Sequence, residues 1–116
     1  EKSTFVLDDG SGLSQYNLVS PRTLVEVLRY AWRQSWRDSL LEALANPREG
    51  TLRFWPALPP VAAKTGTLRD TVALAGVLHP ASETPVFFAW IVNHEVERKR
   101  DARQRMAAAL HRWSAE

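Results

Sequence analysis

The sequence predicts an α+β domain in which an antiparallel sheet of three strands is covered by helices. Three observations carry that expectation. An apolar face at helical spacing follows Ser20-Pro21, three apolar runs separated by short connectors fill residues 61–93, and residues 97–113 alternate Ala, Met and Leu with basic side chains. The order is therefore helix, helix, three strands, helix.

Each element has its own reason. Thr4 to Leu7 reads as a short strand, and Asp8-Asp9-Gly10-Ser11-Gly12 as a loop rich in turn formers. Ser20 supplies a capping hydroxyl, and Pro21 suits the first helical position because it has no N–H to satisfy. Leu24, Val25, Val27, Leu28, Ala31 and Trp32 extend the apolar face, so a helix is expected over 21–34. A second helix is expected over 35–45, with Trp36, Leu40, Leu41 and Leu44 on one side, ended by Asn46-Pro47. Residues 48–60 hold three prolines and no period, and read as an irregular connection. Strands are expected over 61–68, 71–78 and 86–93, the last two joined by a hairpin loop at 79–83. The third strand is apolar on both faces, the pattern of a strand covered on both sides. In the terminal helix, Met106, Leu110 and Trp113 form the apolar face with Ala102 and Ala109, opposite Arg98, Lys99, Asp101, Arg105 and Arg112.

Composition narrows the function. Apolar residues make up 45% and charged residues 24%, so the chain is a globular one rather than a disordered one. A net charge of +2 is too small to argue for a nucleic-acid partner, and none is expected. The absence of cysteine excludes disulfides, thiolate catalysis and Cys-based zinc sites. No apolar run reaches the length of a membrane span, and no transmembrane segment is expected. The chain opens on Glu1 rather than Met, so a processed, cut or fragmentary chain is expected. No internal boundary is expected within residues 1–116.

The first candidate site is Lys64-Thr65-Gly66-Thr67-Leu68. On a strand, Lys64, Thr65 and Thr67 are expected to turn an ammonium and two hydroxyls to one face, where they can hold a carboxylate. Gly66 would leave room for a substrate to lie along the backbone. The plain alternative is an edge strand with solvated polar residues, and the tripeptide alone is unspecific. The second candidate is Asp9 to Asn17, where Ser and Asn side chains would equally serve by bonding nearby backbone. His79, His94 and His111 have no metal-ligand spacing, and neither metal nor cofactor is expected. The basic residues of the terminal helix, Arg103 among them, are interleaved with Glu95, Glu97 and Asp101 and read as a solvated face. The tryptophans read as packing, except Trp55, which lies in the irregular connection and could border a groove.

Four stretches stand in order: D-G-S-G-L-S-x-x-N at Asp9–Asn17, G-T-L-R at Gly50–Arg53, A-K-T-G-T-L at Ala63–Leu68 and L-A-G at Leu74–Gly76. This series resembles the class C low-molecular-mass penicillin-binding proteins, serine D-alanyl-D-alanine carboxypeptidase/endopeptidases of the bacterial wall. The resemblance implies that residues 1–116 are the C-terminal portion of a penicillin-binding, β-lactamase-like transpeptidase fold. It implies a hydrolase acting on peptidoglycan stem peptides, outside the cytoplasmic membrane in the periplasm or cell envelope. Lys64 would organise the site electrostatically, the backbone N–H of Thr67 would form half of an oxyanion hole, and Thr65, Gly66, Thr67 and Leu68 would bind substrate. Leu13, Ser14 and Gln15 of the G-L-S loop would line the substrate groove. Gln15 stands where many relatives carry Arg.

The family's nucleophile sits in S-x-x-K, and no Ser of this chain has Lys three residues on; nor does any have Asn two residues on, as S-x-N requires. Alone, the chain should be inactive, because no covalent route exists without the acylating serine. Its expected partners are the N-terminal remainder of the same enzyme, a stem peptide and, when complemented, β-lactams. If the chain stands apart from that remainder, Trp90 or the face of Met106, Leu110 and Trp113 is expected to be exposed. The alternative is a non-catalytic module that keeps the fold remnant and binds peptidoglycan or a protein.

Overall fold

The computed structural model describes residues 5–94 and 98–116. The expected positions Thr4 and Glu97 lie outside them. The elements are β1 (Phe5–Val6), β2 (Leu18–Val19), α1 (Pro21–Trp32), α2 (Arg37–Ala43), a 3-10 turn (Gly50–Phe54), β3 (Val61–Thr67), β4 (Val72–Leu78), β5 (Val86–Val92) and α3 (Lys99–Ala115). The fold is α+β, with one three-stranded antiparallel sheet in the order β3-β4-β5 and a two-stranded ribbon pairing β1 with β2.

The start of α1 follows from its cap. The Ser20 hydroxyl accepts a hydrogen bond from the Thr23 N–H at 3.1 Å, satisfying one of the first-turn donors that a helix leaves open. The helix ends at Trp32, two residues short of expectation, where the Arg33 N–H turns to the Tyr30 and Ala31 carbonyls. The connection expected to be wholly irregular contains the 3-10 turn, whose Leu52 is buried in the core.

The register assigns the two faces of the sheet. Val61, Ala63, Thr65 and Thr67 stand opposite Leu78, Gly76, Leu74 and Val72, and this face packs under α3 through Ala102, Met106 and Leu110. The other face carries Ala73, Ala75 and Val77 and packs under α1, where Trp32 meets Phe87 edge-on at 5.6 Å between ring centres. The middle strand is β4, which is why its residues are the most buried. The doubly apolar β5 is covered on both faces as expected, by α1 at Phe87 and by α3 at Phe88 and Trp90, but it lies at an edge of this sheet, so only Phe88 is buried and Trp90 is half-covered by Trp113, 6.0 Å away.

Gly76 has a steric reason. A Cβ there would fall 2.3 Å from the Ala62 carbonyl oxygen and 2.7 Å from the Ala63 Cα, so β3 and β4 reach their spacing only around a glycine. The expected exposure of the terminal helix is not found: Met106 and Leu110 are each 1% exposed, and only Trp113 among the three reaches solvent. Exposed apolar residues gather instead at the ribbon and on the outer side of α1, at Phe5, Val6, Leu13, Leu18, Val27 and Tyr30.

Candidate functional site

The outer edge of β3 is built by hydrogen-bond alternation. Ala63 exchanges both backbone bonds with Ala45, at 2.9 and 3.0 Å, on the side away from β4. Successive residues of an antiparallel strand point their N–H and C=O groups to opposite edges. Thr65 and Thr67 therefore turn their backbone groups to the same outer edge as Ala63, beyond the bridge to Ala45, while Ala62, Lys64 and Gly66 bond to β4. A short stretch of strand edge lies open, ending at the Thr67 N–H.

The side chains do not share one face as expected. Thr65 and Thr67 are two residues apart and lie on the α3 face, whereas Lys64 starts from the α1 face, since neighbouring residues alternate. They meet all the same, because β3 is an edge strand and the Lys64 stem wraps around it. Its Nζ donates to the Thr65 carbonyl at 2.8 Å. The 3-10 turn delivers Thr51, whose hydroxyl hydrogen-bonds the Thr65 hydroxyl. At Gly66 the nearest atom to an added Cβ is the Ala73 Cβ at 3.4 Å, so the sheet interior does not by itself demand glycine there.

Two cavities flank Thr67. One, of about 460 Å³, lies on the α1 side between the ribbon and the end of the sheet, with Gln15, Leu24, Gly66, Thr67, Leu68 and Ile91 in its walls. The other, of about 350 Å³, lies on the α3 side and is walled by Thr51, Phe54, Trp55, Lys64, Thr65, Thr67 and Arg103. Trp55 thus borders a groove, as its place in the connection suggested. Lys99 ties the far end of β3 to α3: its Nζ donates to the Leu68 carbonyl at 2.6 Å.

The Asp9–Asn17 loop is held by its own side chains. The Asn17 Oδ1 accepts from the Asp8 N–H at 2.7 Å and the Asp9 N–H at 3.3 Å. The Asp9 carboxylate accepts from the Ser11 hydroxyl and N–H, which together hold its carboxyl below the ordinary value, with a smaller push from Asn17. Ser14 donates to Asp8 at 2.7 Å and accepts from the Tyr16 N–H, so it serves the loop's own shape. Leu13 is 75% exposed and lines neither cavity, while Gln15 shares the α1-side cavity with Thr67 and Leu68.

These features, an open strand edge with Lys and two Thr beside a G-L-S loop, coincide with a match over residues 1–113 to the D-Ala-D-Ala carboxypeptidase 3 (S13) family. The chain belongs to that family. It is 35% identical over 95 residues to the D-alanyl-D-alanine carboxypeptidase DacB of Haemophilus influenzae, covering 76% of this chain and 20% of that protein. It is 41% identical over 103 residues to a D-alanyl-D-alanine carboxypeptidase of an Actinomadura species, covering 77% of this chain and 18% of that protein. The chain thus spans about a fifth of the length of these relatives.

In this carboxypeptidase-family chain, sequence reasoning passed over three contributors to the β3 edge. Thr51 was legible only as part of G-T-L-R. Lys99 and Arg103 were read with the solvated face of α3, yet both are only partly exposed and turn toward β3. The histidines take structural places: His79 meets the Ser114 hydroxyl at 2.8 Å, His111 meets the Ala57 carbonyl at 2.8 Å, and His94 is exposed beside Asp70. Among the described residues no three His, Asp or Glu side chains group as metal ligands, and no helix is long and apolar enough to cross a membrane.

Proposed function

We propose that the protein carrying this chain is a serine D-alanyl-D-alanine carboxypeptidase/endopeptidase acting on peptidoglycan stem peptides outside the cytoplasmic membrane. This chain supplies the K-T-G strand and the G-L-S loop. The observation that carries the reading is the open edge of β3, where the outward Thr67 N–H stands beside Lys64, Thr65 and Thr51. A peptide laid along that edge would present its scissile carbonyl to the Thr67 N–H, and an N–H fixed in a sheet stabilises an oxyanion without reorganising. The threonine hydroxyls take the terminal carboxylate, and Lys64 supplies positive charge at the same place. Gln15 and Leu68 wall the approach on the α1 side. The acylating serine and its lysine come from a part of the gene product outside these residues, since no S-x-x-K occurs here.

The test is to incubate the full gene product with a fluorescent penicillin and map the adduct by mass. The expected result is one labelled serine outside these residues, with Lys64→Ala slowing labelling about 10²-fold or more. A gene product that takes no label and releases no D-alanine from a stem peptide overturns the reading, and a non-catalytic module that binds peptidoglycan or protein takes its place.

A further inference from the structure

The α3-side cavity has a composition that the K-T-G strand does not explain. Its walls carry two cations, Lys64 and Arg103, and three hydroxyls, from Thr51, Thr65 and Thr67, with no carboxylate among them. Arg103 comes from α3, next to Ala102 and three residues before Met106, both 1% exposed, which places it at the rim of the helix's buried face. Its guanidinium carbon lies 5.7 Å from the centre of the Trp55 ring, within cation–π range, so the side chain is held over an aromatic floor. Its Nε is buried without a hydrogen-bond partner, and none of the ion pairs among the described residues involves it. A buried donor of this kind is rare, since nearly all such groups find an acceptor. A ligand in the cavity meets this guanidinium through its terminal Nη groups, since the Nε itself has no exposed surface. The two Nη groups of an Arg form a two-pronged donor that matches the two oxygens of a carboxylate, which Lys cannot do.

We infer that Arg103 binds and selects the free C-terminal carboxylate of the substrate, as a second cation facing Thr65 and Thr67 across the α3-side cavity. This deepens the function proposed above and rests on it. The hydroxyls of Thr65 and Thr67 accept or donate to either a carboxylate or an amide, so they discriminate poorly between them. A guanidinium has donors only, and discriminates by charge. The device is made of two elements that touch only in the folded chain: the strand places the hydroxyls, and the helix places the charge. The Trp55 ring fixes the arginine before substrate arrives, which reduces the ordering cost of binding.

The test uses the full gene product as wild type, Arg103→Met and Arg103→Lys, with an N-acylated D-alanyl-D-alanine and its C-terminal amide as a substrate pair. Methionine keeps much of the apolar stem and removes the charge. Lysine keeps the charge and loses the fork. The wild type is expected to prefer the free acid. Arg103→Met is expected to lose about 10–100-fold in kcat/KM on the acid, mainly through KM, with the amide unchanged. Arg103→Lys is expected to recover part of that loss. If Arg103→Met fails to fold by its thermal transition, the lysine variant decides, because it should show a reduced preference for the acid. An equal loss on both peptides, an unchanged preference, or a wild type that treats acid and amide alike overturns the role of Arg103 while leaving the carboxypeptidase reading intact. A wild type that hydrolyses neither peptide and takes no penicillin label overturns the carboxypeptidase reading, and the role of Arg103 falls with it.

Discussion

The two halves of the candidate site are stabilised by different physics. The β3 edge rests on a packed core: Val61, Ala63, Leu74, Leu78, Met106 and Leu110 are each at most 1% exposed. The Asp9–Asn17 loop and its ribbon contain no buried residue and are held by short-range hydrogen bonds from Asp9, Ser11, Ser14 and Asn17. A strand edge fixed by apolar packing holds its backbone donors in place, which suits a group that must meet developing charge without moving. A loop fixed by polar side chains keeps a shape at little cost in core, but that shape depends on each bond. The difference teaches where rigidity and local dependence lie: the strand edge is fixed by the core, and the loop by its own side chains.

The comparison can be broken from the packed side first. Gly76→Val places a branched side chain where even a Cβ meets backbone at 2.3 Å. It should cost about 4 kcal/mol or more and remove soluble expression of the full gene product; a variant with an unchanged thermal midpoint would show that the strands can part. Met106→Ala should cost about 2–5 kcal/mol by cavity formation and lower the midpoint of chemical unfolding. It should also weaken penicillin labelling through the β3 edge, and an unaltered labelling rate at reduced stability would separate the edge from its core.

The loop side should respond locally. Asn17→Ala strips acceptors from two backbone N–H groups and should cost about 1 kcal/mol, read as faster amide exchange at Asp8 and Asp9 with the β4 amides unchanged. Spread of the effect into β4 would refute the division into two regions. The smallest effect concerns pH. The Ser11 bonds hold the Asp9 carboxyl below its ordinary value of 3.8, so their contribution is complete above that value and fades as pH falls through the folded one. The Ser11 and Asn17 resonances should therefore titrate with a midpoint below pH 3.8, and Asp9→Asn should abolish that titration; a midpoint at or above 3.8 would show that the bonds to Asp9 do not form.

Much of the fold was legible because periodicity and caps are local. The Ser20-Pro21 start, the three short-linked strands and the Met106–Leu110 face all appear within a residue or two of expectation. The shortfall at the end of α1 and the 3-10 turn at Gly50–Phe54 were not, since both depend on how the chain meets the sheet. In the site, the K-T-G and G-L-S stretches announced themselves by motif. The faces of Lys64, Thr65 and Thr67 were misjudged because Lys64 and Thr65 are neighbours, which a strand turns to opposite faces; they meet only because an edge strand lets a long lysine reach around. The partial burial of Arg103 was invisible because it stands at the border of the helix's apolar and charged faces, and only docking on the sheet decides to which side it turns.

By itself the sequence determined the α+β order, the family and the absence of S-x-x-K from these residues, because each is written in neighbouring side chains. The tertiary structure alone decided that β4 rather than β5 is the middle strand, and that Thr67 turns its N–H outward. It also decided that Thr51 and Arg103 join Thr65 at one cavity. Those facts come from strand order, register and helix docking, which bring together residues that no local pattern connects.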